Sequence, residues 1–168
     1  IALDNLIAMV PESRGKWFPV REMVSGNIKK YLWDEKSQKF IPHIYLEKGS
    51  PFPADFDENQ IAQVLDNLII NALESMPSGG RIVISAQNVT IHDKESLYLN
   101  QGNFVKLSIT DTGNGIPQEN LKRIFDPFFS TKRKGSGLGL TTCYSIIQRH
   151  DGTIDVESTP GKGTTFHI

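Results

Sequence analysis

The stretch QVLDNLIINALESMPSGG, residues 63–80, decides how this chain reads. Asp57, with Gln60 three residues on, makes a capping-box-like start just ahead of it. Ile61, Val64, Leu65, Leu68, Ala72, Leu73 and Met76 then form one apolar stripe at helical spacing, which Pro77–Gly80 ends. Asn67 and Asn71 lie four apart and so share one face beside that stripe. Asn in a helix interior costs roughly 0.5–0.7 kcal/mol relative to Ala. One reading makes both solvated surface residues. The other uses an amide oxygen as a neutral hard ligand, suited to a Mg²⁺ that keeps most of its waters and binds phosphates. The pair alone does not choose between them.

Outward from this helix the pattern alternates. RIVISAQNV (81–89) and FVKLSITD (104–111) flank the polar stretch His92–Asn103, which predicts a hairpin with a long exposed loop. A short helix is expected over PQENLKRIF (117–125), and a longer one from Leu138 to His150. GTIDVES (152–158) and GTTFHI (163–168) form a second hairpin. Upstream, Pro19 opens a helix to Trp33, and KFIPHIYL (39–46) reads as an edge strand because Pro42 would not suit a central one. Two helix-then-hairpin halves predict an α+β sandwich, a sheet with helices on one face.

Composition sets outer limits. The 168 residues fit one domain, with 38% hydrophobic and 22% charged residues. A formal net charge of -1 supplies no global field to hold nucleic acid or an anionic membrane. The lone Cys143 cannot pair within the chain, which suits a reducing, cytoplasmic setting. No stretch approaches the roughly 20 apolar residues that span a bilayer. The chain starts at Ile1 and stops at Ile168 within a strand pattern, so it reads as an excerpt of something longer. Residues 1–18, with Leu3, Leu6, Ile7 and Val10, read as a linker or the stub of an upstream helical domain, and 19–168 as the domain proper.

Three further motifs carry chemistry. In DTGNGIP (111–117), Asp111 either caps the N–H groups of a strand-ending turn or accepts from an exocyclic amine such as adenine N6. Gly113 and Gly115 would then let backbone pass close to a flat base. In STKRKGSGLGL (130–140), Lys132, Arg133 and Lys134 precede a glycine run that enters a helix. A helix N-terminus of this kind offers free N–H groups to phosphate oxygens. The spacing is neither a Rossmann fingerprint nor a P-loop. IFDPFF (124–129) reads as a buried anchor, a hinge, or an apolar patch for a partner. GKGTTF (161–166) places Thr164 on the closing hairpin.

Taken in order, these motifs resemble the GHKL ATP-binding superfamily, most closely the catalytic and ATP-binding domain of sensor histidine kinases. Residues 63–80 look like its N box, DTGNGIP its first glycine box, IFDPFFSTK its F box and GSGLGL its second glycine box. The resemblance implies a Bergerat-type two-layer sandwich, with a mixed, largely antiparallel sheet, three helices on one face and a mobile lid over 116–137. It implies ATP and Mg²⁺ as ligands. Asn71 would hold the metal, and Asn67 and Lys132 would act near the phosphates. Asp111 would read adenine, Gly113 and Gly115 would shape its pocket, and Thr164 would support it. Gly137, Leu138 and Gly139 would hold phosphates, and Ile116, Phe125, Gly135, Ser136 and Leu140 complete the nucleotide-binding set.

Two departures stand out. Glu74 and Ser75 occupy a stretch where many members carry a basic residue, so phosphate charge must be met from the lid. His150-Asp151-Gly152 replaces the more usual H-G-G, as a turn variant. Chaperone and gyrase-type members generally carry Glu where this chain has Asn67. An amide cannot serve as a general base, so transfer is favoured over hydrolysis. None of His43, His92, His150 and His167 has the acidic, helical context of a phosphoacceptor. The resemblance therefore implies an acceptor histidine on an upstream dimerisation domain, a homodimeric full-length kinase with the separate domain monomeric, and a response regulator downstream. The alternatives are a serine-directed kinase of the anti-sigma type and a non-catalytic ATP-binding module.

Overall fold

A computed structural model describes residues 43–46, 54, 56–92, 99–132 and 135–168. The stub at 1–18, the helix expected over 19–33, the tip of the long loop and the pair Arg133–Lys134 lie outside the described residues. Within them the order is β1 (His43–Leu46), α1 (Glu58–Ser75), β2 (Arg81–Ile91), β3 (Gly102–Asp111), α2 (Gln118–Leu121), α3 (Gly139–Arg149), β4 (Asp155–Thr159) and β5 (Gly163–His167).

The strands form one five-stranded sheet in the order β1-β2-β3-β5-β4. β1 runs parallel to β2 and every other pairing is antiparallel. β1 takes the edge expected of it. Both hairpins form as the alternation predicts, and the mixed, largely antiparallel sheet is the one the resemblance implies.

Side-chain alternation sorts the two faces. Ile84, Ile109, Phe166 and Val156 are cross-strand neighbours in one row. Ile82, Asp111, Thr164 and Ser158 make the next row on the same face. α1 and α3 cover this face, where Val64, Leu65, Leu68, Ile69, Cys143, Ile146 and Ile147 meet the sheet's isoleucines and Phe166. Truncating a fully buried residue such as Leu65 or Leu68 to Ala would cost about 2–5 kcal/mol. Because Leu107, Ile109 and Asp111 alternate along β3, the strand that buries two aliphatics must also turn Asp111 inward.

The start of α1 is pinned to the end of α3. Asp57 Oδ1 accepts the Gln60 N–H at 3.1 Å, the cap expected from the sequence. The reciprocal half differs from a capping box. The Gln60 amide donates to Asp57 Oδ2 at 3.2 Å, and the Asp57 N–H goes to His150 Nε2 at 3.0 Å. His150 Nδ1 lies 2.8 Å from Ile146 O, so the ring donates there and accepts from Asp57.

The short helix is shorter than its sequence pattern. Only Gln118–Leu121 is helical, and 122–128 proceed by single turns. Arg123 N–H bonds Asn120 O at 2.8 Å and Asp126 N–H bonds Arg123 O at 2.9 Å. Pro127 disfavours the helical conformation at Asp126 and removes a donor. Among the described residues no helix is long and apolar enough to cross a membrane.

Candidate functional site

Asp111 ends β3 as a buried carboxylate, 5% exposed. One oxygen, Oδ1, gathers the local donors: Gly113 N at 2.8 Å and Thr164 N at 3.3 Å. Ser75 Oγ lies 3.2 Å from it and also 2.8 Å from Ala72 O. Among the described residues no hydrogen bond falls on Oδ2. Burial pushes the carboxyl above its ordinary range, opposed in part by the donors on Gly113, Ser75 and Thr164. The acid therefore caps its turn with one oxygen and keeps the other as an acceptor.

The turn is held against α1 by a missing side chain. A Cβ on Gly113 would stand 1.9 Å from Ser75 Oγ and 2.8 Å from Ser75 O. Asn114 N–H also donates to Ser75 O at 3.1 Å. Gly115 lies against the Thr159 carbonyl. Ile116 donates its N–H to Ser158 Oγ at 2.8 Å, and Ser158 Oγ lies 2.9 Å from Thr164 Oγ1. Serines 75 and 158 are thus the supports of the Asp111–Thr164 pair that sequence reasoning missed. Ser75 stands one helical turn past Asn71 on the same face, a signal that was present.

Further along that face, Lys132 Nζ donates to Asn71 Oδ1 at 2.6 Å and forms an ion pair with Glu74 Oε2. The Lys132 and Glu74 side chains are each about half exposed. The segment that presents Lys132 is a tight turn on Ser130, whose Oγ accepts the Lys132 N–H at 3.1 Å. Gly135 N–H closes it onto Lys132 O at 3.2 Å. Glu74, which looks out of place in the sequence, is a direct partner of the lysine.

Asn67 is spent differently. Its Nδ2 donates to Gly139 O at 3.4 Å, tying α1 to the first turn of α3. Leu138 is the N-cap of α3 and no side chain caps that end. Gly139, Leu140 and Thr141 occupy its first turn, where N–H groups have no intrahelical acceptor. Ser136 Oγ accepts the Leu138 N–H at 3.4 Å. Gly137, at φ 69°, passes so close to Phe128 that a Cβ would sit 2.3 Å from the Phe128 carbonyl carbon. Phe125 and Leu140 pack on the core edge, and Phe125 O accepts Thr141 Oγ1 at 3.1 Å. IFDPFF is therefore mixed: Ile124 is buried, Phe125 and Phe129 pack against the core, and Phe128 is 76% exposed.

The donor set fits the expected ligands. An ammonium is already held by an amide oxygen and a carboxylate, both hard donors. Among the described residues no group of three or more His, Cys, Asp or Glu side chains comes together. A cation here would have few protein ligands, as Mg²⁺ on phosphates does. Cys143 lies in the core, its thiol pushed up to about 12 by burial, and takes no part.

Residues 56–168 match the family of histidine kinase-, DNA gyrase B-, and HSP90-like ATPases, and the chain belongs to it. Within that family it is the ATP-binding catalytic domain of the sensor histidine kinase type, and ATP is the ligand its site is built for. Sporulation kinase C of Bacillus subtilis is 45% identical over 112 residues, covering 67% of this chain and 23% of that protein. Sensor kinase CckA of Brucella abortus is 43% identical over 122 residues, 70% of this chain and 13% of that protein. The chain thus spans less than a quarter of each of these curated relatives. The solved catalytic domain of histidine kinase ThkA superposes with a TM-score of 0.68 at 29% identity, over 89% of this chain and 90% of that one.

Proposed function

We propose that this domain holds Mg-ATP and that the γ-phosphoryl group passes to a histidine on a separate dimerisation domain, with a response regulator as the next acceptor. The observation that carries the reading is an order along one helix face. Asn67 meets the uncapped start of α3, Asn71 meets Lys132, and Ser75 meets Asp111. Over about 12 Å of helix the face runs from phosphate-type donors through cation oxygens to a base-reading carboxylate, the order of groups in a nucleotide.

On this reading Asp111 Oδ2 accepts from the adenine amine, Gly113, Thr164 and Ser75 hold that carboxylate in place, and Gly113 and Gly115 shape the pocket. The first-turn N–H groups of α3 and the Lys132 ammonium neutralise phosphate charge. Asn71 Oδ1 is the protein's metal ligand. Magnesium, when bound, supplies charge neutralisation across the phosphate oxygens. Ile116, Phe125, Gly135 and Ser136 belong to the segment 116–137 that covers the nucleotide, the expected lid, while Leu138 and Leu140 stand at the start of α3 beside the phosphates.

One feature supports transfer over hydrolysis. Asn67 is an amide already donating to Gly139 O, and it offers water no base. Of the described histidines, His150 is engaged in the fold through both ring nitrogens, and His167 through Nδ1, 2.8 Å from Ser108 Oγ. The acceptor then belongs to a domain ahead of residues 19–168, with 1–18 as the connection, in a homodimeric kinase whose catalytic domain is cytoplasmic and binds no nucleic acid.

The test is binding and self-labelling of the 168-residue chain. Tight Mg-ATP binding, weak GTP binding and no incorporation of γ-label without a partner are expected. Equal ATP and GTP binding would sink the adenine assignment, and self-labelling would sink the separate acceptor.

A further inference from the structure

We propose that the Lys132 ammonium and Mg²⁺ compete for one pair of oxygens, Asn71 Oδ1 and the Glu74 carboxylate, so that Glu74 belongs to the cation site and makes nucleotide binding depend on the metal. The inference rests on the reading of Asn71 as the metal's ligand and names a second residue and a rival cation for that site.

The geometry is specific. Asn71 and Glu74 are three apart on α1, and both side-chain oxygens turn to the same ammonium. Lysine has three donors and no acceptor, so it presents itself to these oxygens as a compact hard cation. Hydrated Mg²⁺ asks for the same kind of donor. One neutral amide oxygen 2.6 Å from an ammonium cannot also carry a divalent ion, because the two positive charges would stand within a few ångströms.

Glu74 gives the competition its direction. It adds a negative charge one helical turn from the oxygen that faces the phosphates. With Lys132 turned to the phosphates and no metal present, that carboxylate would repel them. With Mg²⁺ in its place the carboxylate becomes favourable, directly or through a coordinated water. Lys132 is set up to exchange: its ion pair is about half exposed, hence weak, and its backbone is fixed by Ser130 and Gly135. The side chain can leave without the turn coming apart.

The experiment measures the Mg²⁺ concentration for half-maximal ADP binding to the 168-residue chain, by calorimetry, in the parent, Lys132→Met, and Lys132→Met with Glu74→Gln. Removing the rival cation should lower the Mg²⁺ requirement about fivefold. Removing the carboxylate in that background should raise it by a similar factor. The inference is overturned if Lys132→Met leaves the requirement unchanged or raises it. It is overturned equally if Glu74→Gln has no effect, or lowers the requirement, once Lys132 is gone, since Glu74 would then be only an anchor for the lysine. A parent that binds ADP equally well with and without Mg²⁺ overturns the reading of Asn71 itself, and this inference with it.

Discussion

Asp111 Oδ1 accepts the Gly113 N–H at 2.8 Å, within the turn that the two residues share. The bond commits one carboxylate oxygen to the fold and leaves the other to the ligand. Asp111→Asn keeps an oxygen for Gly113, Ser75 and Thr164 but offers an N–H where adenine offers another. We expect ATP binding to weaken by about 1.5–3 kcal/mol, roughly ten- to a hundredfold in Kd, with the fold intact by circular dichroism.

The same substitution should raise the melting temperature, with a defined pH dependence. Burial raises the folded-state pKa of Asp111, so the ionised form is the unfavourable one in the fold. Its contribution is fully present below the unfolded value of about 3.9 and is lost as pH rises through the folded value. The gain of Asp111→Asn over the parent should be flat at neutral pH and shrink as pH falls through the folded value. A gain that grew on acidification would contradict this.

Asn71→Ala should weaken ADP binding measured in Mg²⁺ by roughly tenfold or more, the worth of a charge-assisted contact, while leaving binding in EDTA nearly unchanged. Equal losses in both conditions would show that Asn71 acts on the nucleotide and not through the metal.

Gly113→Ala should destabilise the domain by about 1–3 kcal/mol, the usual cost of overpacking, read from the denaturant midpoint. Ser75→Ala should not rescue it. The added Cβ would still stand 2.7 Å from Ser75 Cβ and 2.8 Å from Ser75 O.

Asp151 follows α3 at φ 55°, with Gly152 N–H bonded to Ile147 O at 3.0 Å. The position is left-handed, a conformation that Asp tolerates better than most residues and that glycine adopts freely. Asp151→Gly should add up to about 1 kcal/mol, a rise of roughly 2–4 °C in melting temperature.

Most of the architecture was legible because burial here follows simple periods. The stripe from Ile61 to Met76 buries the residues its spacing predicts except Leu73, which is partly buried, and adds Ile69; Leu107, Ile109 and Asp111 alternate inward along β3, which is why helix, hairpins and sheet could be read locally. What stayed hidden depends on residues far apart in the chain. Gly113 is glycine because of Ser75, 38 positions earlier by its numbering, and Glu74 acquires its partner from Lys132 across 58 residues. His150 looked like a turn residue, yet it receives the Asp57 N–H from 93 positions earlier in the chain. The helix over 117–125 was overestimated because its apolar spacing persists past Asn120 while the backbone there closes i→i+3 turns, Arg123 N–H to Asn120 O and Asp126 N–H to Arg123 O.

The central claim is transfer to a histidine, and the stability of the phosphorylated product tests it most directly. The protein that carries this domain, incubated with γ-labelled ATP and Mg²⁺, should yield a product that is lost in acid and kept in base, as a phosphoramidate on imidazole is. A label that survived acid and was lost in base would mark a serine ester and contradict the account.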